Sequence, residues 1–466
     1  MNKFHPEAFL TSTLRAHPRG TAIARILAAA VNAVAPDEAV RRFVECTNGQ
    51  LFIAGKSGEA LARTRYELAK VRRVLIFGLG KAAESMTGAL TELLEQGIAQ
   101  TQRRPEIRGF LTLKHPARSL PVGFEQVTGG HPIPDAGSLS AGQGLAAFLA
   151  GISADDLLIC LISGGGSALL ASPFAGVSLE DMQNLTSALL GCGARIDEIN
   201  TLRRHLDHFK GGGLARAAAP ARVISLILSD VVGSPLEAIA SGPTAADPSS
   251  RADALEILKK YDLVDKIPPA VMHALETANE TPKPGSELFE QVQNVIVGDN
   301  LLAARAALQQ AEMEGFNPVY LRGDLQGEAR QVGTTLCQDL EIAQRTGQPA
   351  KRPFCLVAGG ETTVTLHGKG RGGRNQELAL AAVQGMAKIA GGLLVSLATD
   401  GEDGPTDAAG AVVNAETLQR GLRAGLDFQV TLDNNDAYAY FSALDDLLKP
   451  GHTGTNVNDL TFLFGL

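Results

Sequence analysis

Eight short apolar runs constrain this chain more than anything else in it. They are VLIFG (74–78), GFLTL (109–113), LLICLI (157–162), VISLIL (223–228), NVIVG (294–298), PVYL (318–321), FCLVAG (354–359) and LLVSLA (393–398). They are largely continuous rather than alternating, the pattern of strands buried on both faces. Helical patterns lie between many of them, at 81–96, 138–150, 299–313, 326–345 and 376–389. Strand, helix and strand in that order predict parallel βαβ units and an α/β fold. In open sheets of this type ligands bind beyond the carboxyl ends of the strands, so chemistry is expected in the loops that follow the runs.

With 466 residues the chain has room for two domains. Proline and polar residues gather at DPSS (247–250), IPP (267–269) and TPKPGSE (281–287), which puts the expected boundary near 245 and gives domains 1–245 and 246–466. The strand-like TFLF (461–464) is free to return to either one. A net charge of -8, aromatics at 5%, no Trp and no long basic run argue against nucleic-acid binding. Five cysteines without C-x-x-C spacing argue against structural zinc and a disulfide framework, and fit a reducing compartment. The first residues lack the apolar centre of a secretory signal, and no apolar run approaches the ~18 residues of a membrane span. A soluble, cytoplasmic protein is expected.

Residues 396–410, SLATDGEDGPTDAAG, crowd Asp400, Glu402, Asp403 and Asp407 into one turning loop, which is costly unless cations or hydrogen-bond donors answer them. Residues 368–377, GKGRGGRNQE, carry Lys369, Arg371 and Arg374 on a glycine-rich loop suited to bidentate anion binding. An anionic and a cationic loop at the ends of neighbouring strands resemble two halves of a site for a metal and a phosphate. In the first half of the chain, LLICLISGGGSALL (157–170) runs a buried strand into Ser163, Gly164, Gly165, Gly166 and Ser167, whose successive N–H groups are suited to cradle a phosphate or carboxylate.

VLIFGLGKAAE (74–84) places Gly78, Gly80 and Ala83 on the dinucleotide fingerprint, but the acidic ribose partner expected about 20 residues on is absent; Lys114 and His115 stand there, which disfavours NAD and leaves NADP open. Lys81 opens the following helix, where a cation opposes the helix dipole unless it faces an anion. GQLFIAGKS (49–57) has one residue too many between its glycines for a phosphate-binding loop, and reads as a turn. In RIDEINTLRRHLDHFKGGG (195–213), Asn200, Arg203 and Arg204 have the reach to contact a ligand, whereas His205 and His208 lack a third metal ligand. Asp230 in SDVVGSPLEAIASGPT suits either magnesium or a helix cap, and His131 and Asp135 sit on a stiff proline-glycine loop, GGHPIPDAG. Asn434 or Asn435 is a natural N-cap for a helix over 434–441, and GHTGTNVNDL (451–460) brings His452, Thr453, Thr455 and Asn456 before the final strand.

Taken together, LISGGGSALL, GHPIPDAGS, INTLRRHLDHFKGGGLA, SDVVGSPLEAIASGPT, GKGRGGRNQELAL and TDGEDGPTDAAGA resemble the class II glycerate kinase family, in one consistent order over most of the chain. The resemblance implies a Rossmann-like, doubly wound parallel-sheet N-terminal domain, a second α/β domain with a mixed sheet, and an active site in the cleft between them. It implies ATP-dependent phosphorylation of D-glycerate to 2-phosphoglycerate, with ATP and Mg2+, and it explains why relatives carry a hydroxypyruvate reductase label. By the same resemblance Lys81 and Arg374 are the catalytic positions, with Asp400 as a further catalytic candidate. Ser163, Gly164, Gly165, Gly166, Ser167, Arg203, Arg371, Asn375, Asp403 and Asp407 would contact substrate or nucleotide, and Asp230 and Asp400 the metal. Leu79 and Ser234 depart from the family pattern. The expected partners are D-glycerate and a nucleotide, without nucleic acid or membrane, and with a homodimer left open. The competing readings are an NADPH-dependent hydroxypyruvate reductase and a non-catalytic glycerate or nucleotide sensor.

Overall fold

The computed structural model describes residues 4–57, 60–99 and 101–466. The chain forms two compact units, one from residues 36–229 and 234–297, the other from residues 1–35, 230–233 and 298–466.

The unit built on residues 36–297 opens with a three-stranded antiparallel sheet of β1 (Val44–Thr47), β2 (Gln50–Ser57) and β3 (Ala60–Glu67). The segment 49–57 is therefore mostly strand rather than a turn, because its apolar residues alternate across the pleat: Leu51 and Ile53 are fully buried. Its main sheet contains β4 (Arg73–Leu79), β5 (Glu106–Leu113), β6 (Phe124–Thr128), β7 (Asp156–Ile162), β8 (Arg222–Leu228) and β9 (Val292–Gly298) in the order β6-β5-β4-β7-β8-β9. The pairings of β4 with β5 and β7, β5 with β6, and β7 with β8 are parallel. This is the dinucleotide-fold order, with its reversal between β4 and β7. Strand β7 is buried at every position, as a run covered on both faces should be. The helix Ala83–Ile98 connects β4 to β5, and Ala136–Phe148 connects β6 to β7. A satellite helical layer, Leu179–Gly191, Ile196–Arg204, Arg251–Lys260 and Pro269–Thr277, has its own apolar centre around Leu185, Leu202, Leu258 and Leu275.

The other unit contains β10 (Asn317–Leu325), β11 (Phe354–Gly360), β12 (Gly392–Ala398), β13 (Gly410–Asn414), β14 (Leu447–Leu448) and β15 (Asp459–Gly465), ordered β10-β11-β15-β12-β13-β14. Only the β10–β11 pair is parallel, so the sheet is mixed. The C-terminal strand β15 enters its centre and separates β11 from β12. The two charged loops thus follow strands that are not neighbours. Helices Asn300–Met313, Ala329–Thr346 and Arg374–Met386 pack with this sheet.

The units do not divide near 245. Strand β9 joins the first sheet, which carries that unit to residue 297, and the proline-rich stretches at 247–287 connect parts of its helical layer. Residues 1–35 belong with the C-terminal unit. Their helix Gly20–Ala33 packs on Asn300–Met313, where buried Ala24, Ala28, Ala303, Ala304, Ala307 and Ala311 allow close approach. Asp446, fully buried, accepts hydrogen bonds from the Thr13 N–H (2.8 Å), the Thr13 hydroxyl (2.8 Å) and Arg420 (2.6 Å). Removing one partner of a buried pair costs about 3–5 kcal/mol. Asp446→Ala should therefore lower the stability of this unit by about that amount, read as an early transition in urea denaturation followed by circular dichroism. A transition at the parent midpoint would show that the N-terminal anchor contributes nothing.

Candidate active site

In the unit that carries the parallel sheet, the loops after β4 and β7 flank the reversal of strand order. They are stitched together by backbone and one hydroxyl. Lys81 N–H donates to Gly164 O (3.2 Å), Ser163 N–H donates to Leu79 O (2.9 Å), and Ser163 Oγ accepts from Ala82 N–H (3.0 Å). Gly80 N–H donates to Thr112 O (3.2 Å) and Ala83 N–H to Gly80 O (3.3 Å). Every amide from 80 to 83 is thereby occupied, and none is left for the pyrophosphate that the fingerprint glycines would otherwise bind. Ser163, expected at the substrate, is 1% exposed and has a stitching task instead.

The amides one loop further on differ. The N–H groups of Gly164, Gly165, Gly166 and Ser167 have no hydrogen-bond acceptor among the described residues. Gly165 adopts φ +85, and a Cβ there would stand 3.0 Å from His131 and 3.8 Å from Lys81 Cε. His131 and Lys81 therefore flank this amide row. The imidazole pKa is held below its usual value by burial and then by Lys81 and Lys114. Lys81 is exposed, and among the described residues it has no carboxylate partner. Arg203 is likewise without an acidic partner, and burial holds it below the usual arginine value. It lines a small cleft with Ser167, Pro134, Leu179, Met182 and Lys210. Lys210 itself is tied to Asp207 (2.8 Å) and Leu170 O (2.9 Å). The neighbouring His205 is buried between Thr201 O and Glu280, His208 stands edge-on to Phe174, and Asp135 caps the helix Ala136–Phe148.

The mixed-sheet unit gathers the opposite charge. Register pairs Gly360 of β11 with Asp459 of β15, and Asp459 with Ala398 of β12. Glu361, Asp459 and Asp400 consequently stand at one end of the sheet. Arg374 reaches into this row, with Nε 2.5 Å and Nη2 3.0 Å from the two Asp459 oxygens and Nη1 3.2 Å from Glu361. Burial alone would lower the guanidinium pKa, but Asp459 and Glu361 more than reverse that and hold it raised. Glu361 is held above the usual glutamate range by desolvation, against the pull of Arg374, with Asp459, Asp230 and Asp400 adding to the rise. Asp230 belongs to this unit and feeds the same acidic field. Among the described residues no group of three or more His, Cys, Asp or Glu side chains is placed to hold a metal. Neither Asp459 nor Glu361 was singled out by the sequence; the available signal was an acidic residue directly adjoining each apolar run.

Several expected ligand contacts have other tasks. Asp403 is buried and accepts the N–H groups of Asn375 (3.1 Å) and Gln376 (2.8 Å), so it holds the start of the helix that carries Arg374. Gly373 permits this, since a Cβ there would lie 2.3 Å from the Asp403 carboxyl carbon. Asn375 is buried too, with its amide between Asp403 and Ser396. Asp407 is exposed and bonded to Tyr438 (2.6 Å) and Lys449 (3.1 Å). Arg371 lies over the Tyr438 ring, 4.3 Å from its centre. Thr453 is buried and bonds Thr399 O. The short helix Ala437–Ala443 begins after Asp436, so neither Asn434 nor Asn435 is its N-cap.

Burial and then Asp459 push the Asp403 pKa up to about 7, against the two amides and Arg374. Its folded value exceeds its unfolded one, so between about pH 4 and 7 the native state binds the extra proton. That contribution is complete below the lower value and is lost as pH rises through the upper one. Asp403→Asn should flatten the fall in melting temperature between pH 4 and 7, and an unchanged slope would assign the titration elsewhere.

A family model described as a domain of unknown function, DUF4147, matches residues 22–276, and the MOFRL family model matches residues 354–459. A glycerate kinase of Rattus norvegicus is 39% identical over 93% of this chain and 91% of its own. A glycerate 2-kinase of Pyrococcus horikoshii is 37% identical, covering 94% of this chain and 95% of its own. The crystal structure of a glycerate kinase from Thermotoga maritima superposes with a TM-score of 0.82 at 37% identity, covering 95% and 98% of the two chains.

Proposed function

This chain belongs to the glycerate kinase family, and on that premise we propose that it phosphorylates D-glycerate with ATP, giving 2-phosphoglycerate. The observation that carries the proposal is the open amide row Gly164–Ser167, flanked by a Lys81 ammonium that has no carboxylate partner among the described residues. Such a row is a cradle for anionic oxygens, and each reactant of this reaction is an anion. The occupied amides at 80–83 weigh against the reductase alternative, which needs them for its dinucleotide.

Phosphoryl transfer asks a protein mainly for positioning and for cations where charge moves. In this reading the amide row and Lys81 bind phosphate or carboxylate oxygens, and Arg203 holds a second anionic group over the Ser167 cleft. Arg374 is locked in orientation by Asp459 and offers the Nη1 edge, which is paired with the half-exposed Glu361. Arg371, stacked on Tyr438, offers a second guanidinium on the exposed loop of the same unit. The acidic field around Arg374 suits a cation better than an anion. Mg2+ typically takes one or two carboxylates together with substrate phosphates and water, so Asp230 and Asp400 would suffice to hold it. Bound there, the ion would neutralise phosphate oxygens. In this reading Asp400 receives the hydroxyl proton, while Asp403 is buried under a helix and Asp407 is bonded to Tyr438 and Lys449. No helix among the described residues is long and apolar enough to cross a membrane, and a cytoplasmic enzyme is in keeping with that.

A coupled assay with D-glycerate, ATP and Mg2+ should show glycerate-dependent ADP release, with no NADPH oxidation when hydroxypyruvate replaces glycerate and ATP is omitted. Lys81→Ala and Arg374→Ala should each lower kcat by about 100-fold or more while leaving the circular dichroism spectrum unchanged. Near-parental rates in either variant would overturn that assignment.

A further inference from the structure

The basic loop 365–371 is held by a template elsewhere in its own unit. Each backbone amide from 367 to 371 donates to the tripeptide Asn434–Asn435–Asp436. His367 and Gly368 N–H both reach Asn435 Oδ1 (2.7 and 2.9 Å), Lys369 N–H reaches Asn434 Oδ1 (3.1 Å), and Gly370 N–H reaches Asn434 O (2.9 Å). Arg371 N–H reaches Asp436 Oδ1 (3.0 Å), and Tyr438 N–H returns a bond to Arg371 O (2.9 Å). Five successive donors captured by three residues leave this loop one backbone path.

Asn435 is the centre of the template. It is 4% exposed and sits at φ 54, a conformation asparagine tolerates better than most residues. Its Nδ2 donates to Thr365 O (3.3 Å) and to Glu377 Oε2 (2.8 Å). Glu377 lies one turn beyond Arg374 on the same helix, and its other oxygen is gripped by Arg330 (2.7 and 3.0 Å). The charged groups facing this junction are therefore Glu377 and Arg330, Glu328 at 3.9 Å behind Arg330, and Asp436 next in the chain. One amide thus joins the loop that leads into Arg374 to the helix that carries it.

We infer that Asn435 is a positioning residue for phosphoryl transfer, acting through the 365–371 backbone and Glu377 to fix Arg374. The inference rests on the kinase reading and adds a residue that touches no reactant. Only an amide serves here, because it accepts from two loop N–H groups while donating to a carboxylate. A carboxylate in its place keeps the acceptor and meets Glu377 as a like charge, unless one proton is shared between them.

The test compares the parent enzyme with Asn435→Asp, Asn434→Ala and the double variant Asn435→Asp/Glu377→Gln, in which a side-chain amide is restored on the opposite partner. Asn435→Asp should lose about tenfold or more in kcat at pH 8, with little change in the KM for glycerate, and recover as pH falls to 6 and the carboxyl pair takes up a proton. The double variant should regain kcat at pH 8 and lose that added pH dependence. Asn434 is exposed, so Asn434→Ala should keep the parental melting temperature while kcat falls several-fold. Should Asn435→Asp be unfolded, the other two variants decide. Parental kcat in Asn434→Ala, or an Asn435→Asp profile parallel to that of the parent from pH 6 to 8, would overturn the inference alone. A parent with no glycerate-dependent ADP release would overturn the kinase reading and this inference with it.

Discussion

Where the backbone amides of the loops go is the constraint on which the rest of this structure depends. A buried or partly buried N–H needs an acceptor, and a loop becomes rigid or receptive according to whether the protein supplies one. Around Gly80 the acceptors are Thr112 O, Gly164 O and Ser163 Oγ, and the turn is closed to ligand. One strand further on, at Gly164–Ser167, no described residue supplies them. In the mixed-sheet unit, Asp403 takes the amides at the start of the Arg374 helix, and the tripeptide 434–436 takes those of the basic loop. The glycines that look alike in the sequence thus fall into two kinds, those that let protein close on protein and those that leave an opening.

Charge follows the same division. His131 and Lys81 flank the open amides, and burial, then Lys81 and Lys114, holds the His131 pKa below its usual value. In the mixed-sheet unit Arg374 is bonded to Asp459 and Glu361, and burial raises the Glu361 pKa against the pull of Arg374, with Asp459, Asp230 and Asp400 adding to the rise.

Much of this was legible in the sequence. The eight apolar runs all became strands; those at sheet centres, such as β7, β11 and β12, are apolar at nearly every position because both faces are covered. The glycine turn after β7 was legible too, and its amides at Gly164–Ser167 have no acceptor among the described residues. What the sequence withheld depends on contacts far along the chain. Asp459 gains its meaning only when β15 inserts between β11 and β12, and Asn435 only when it lies along a loop nearly seventy residues earlier. The carboxylates of 400–407 looked equivalent, yet Asp403 is a buried cap, Asp407 a surface pair, and Asp400 adds to the acidic field at Glu361. The unit boundary was misplaced because proline-rich connections within a helical layer resemble a linker, while the true edge is set by which sheet accepts β9.

The attachment of residues 1–35 to the C-terminal unit has a consequence for the order of events during synthesis. Domains fold as their residues emerge from the ribosome, N-terminal segments usually first. Here the opening helices find their partners only after Asn300–Met313 and Asp446 have been made, so they must wait while the middle of the chain completes its own sheet. The apolar face of the helix Gly20–Ala33 therefore stays uncovered until synthesis has passed residues 300–313.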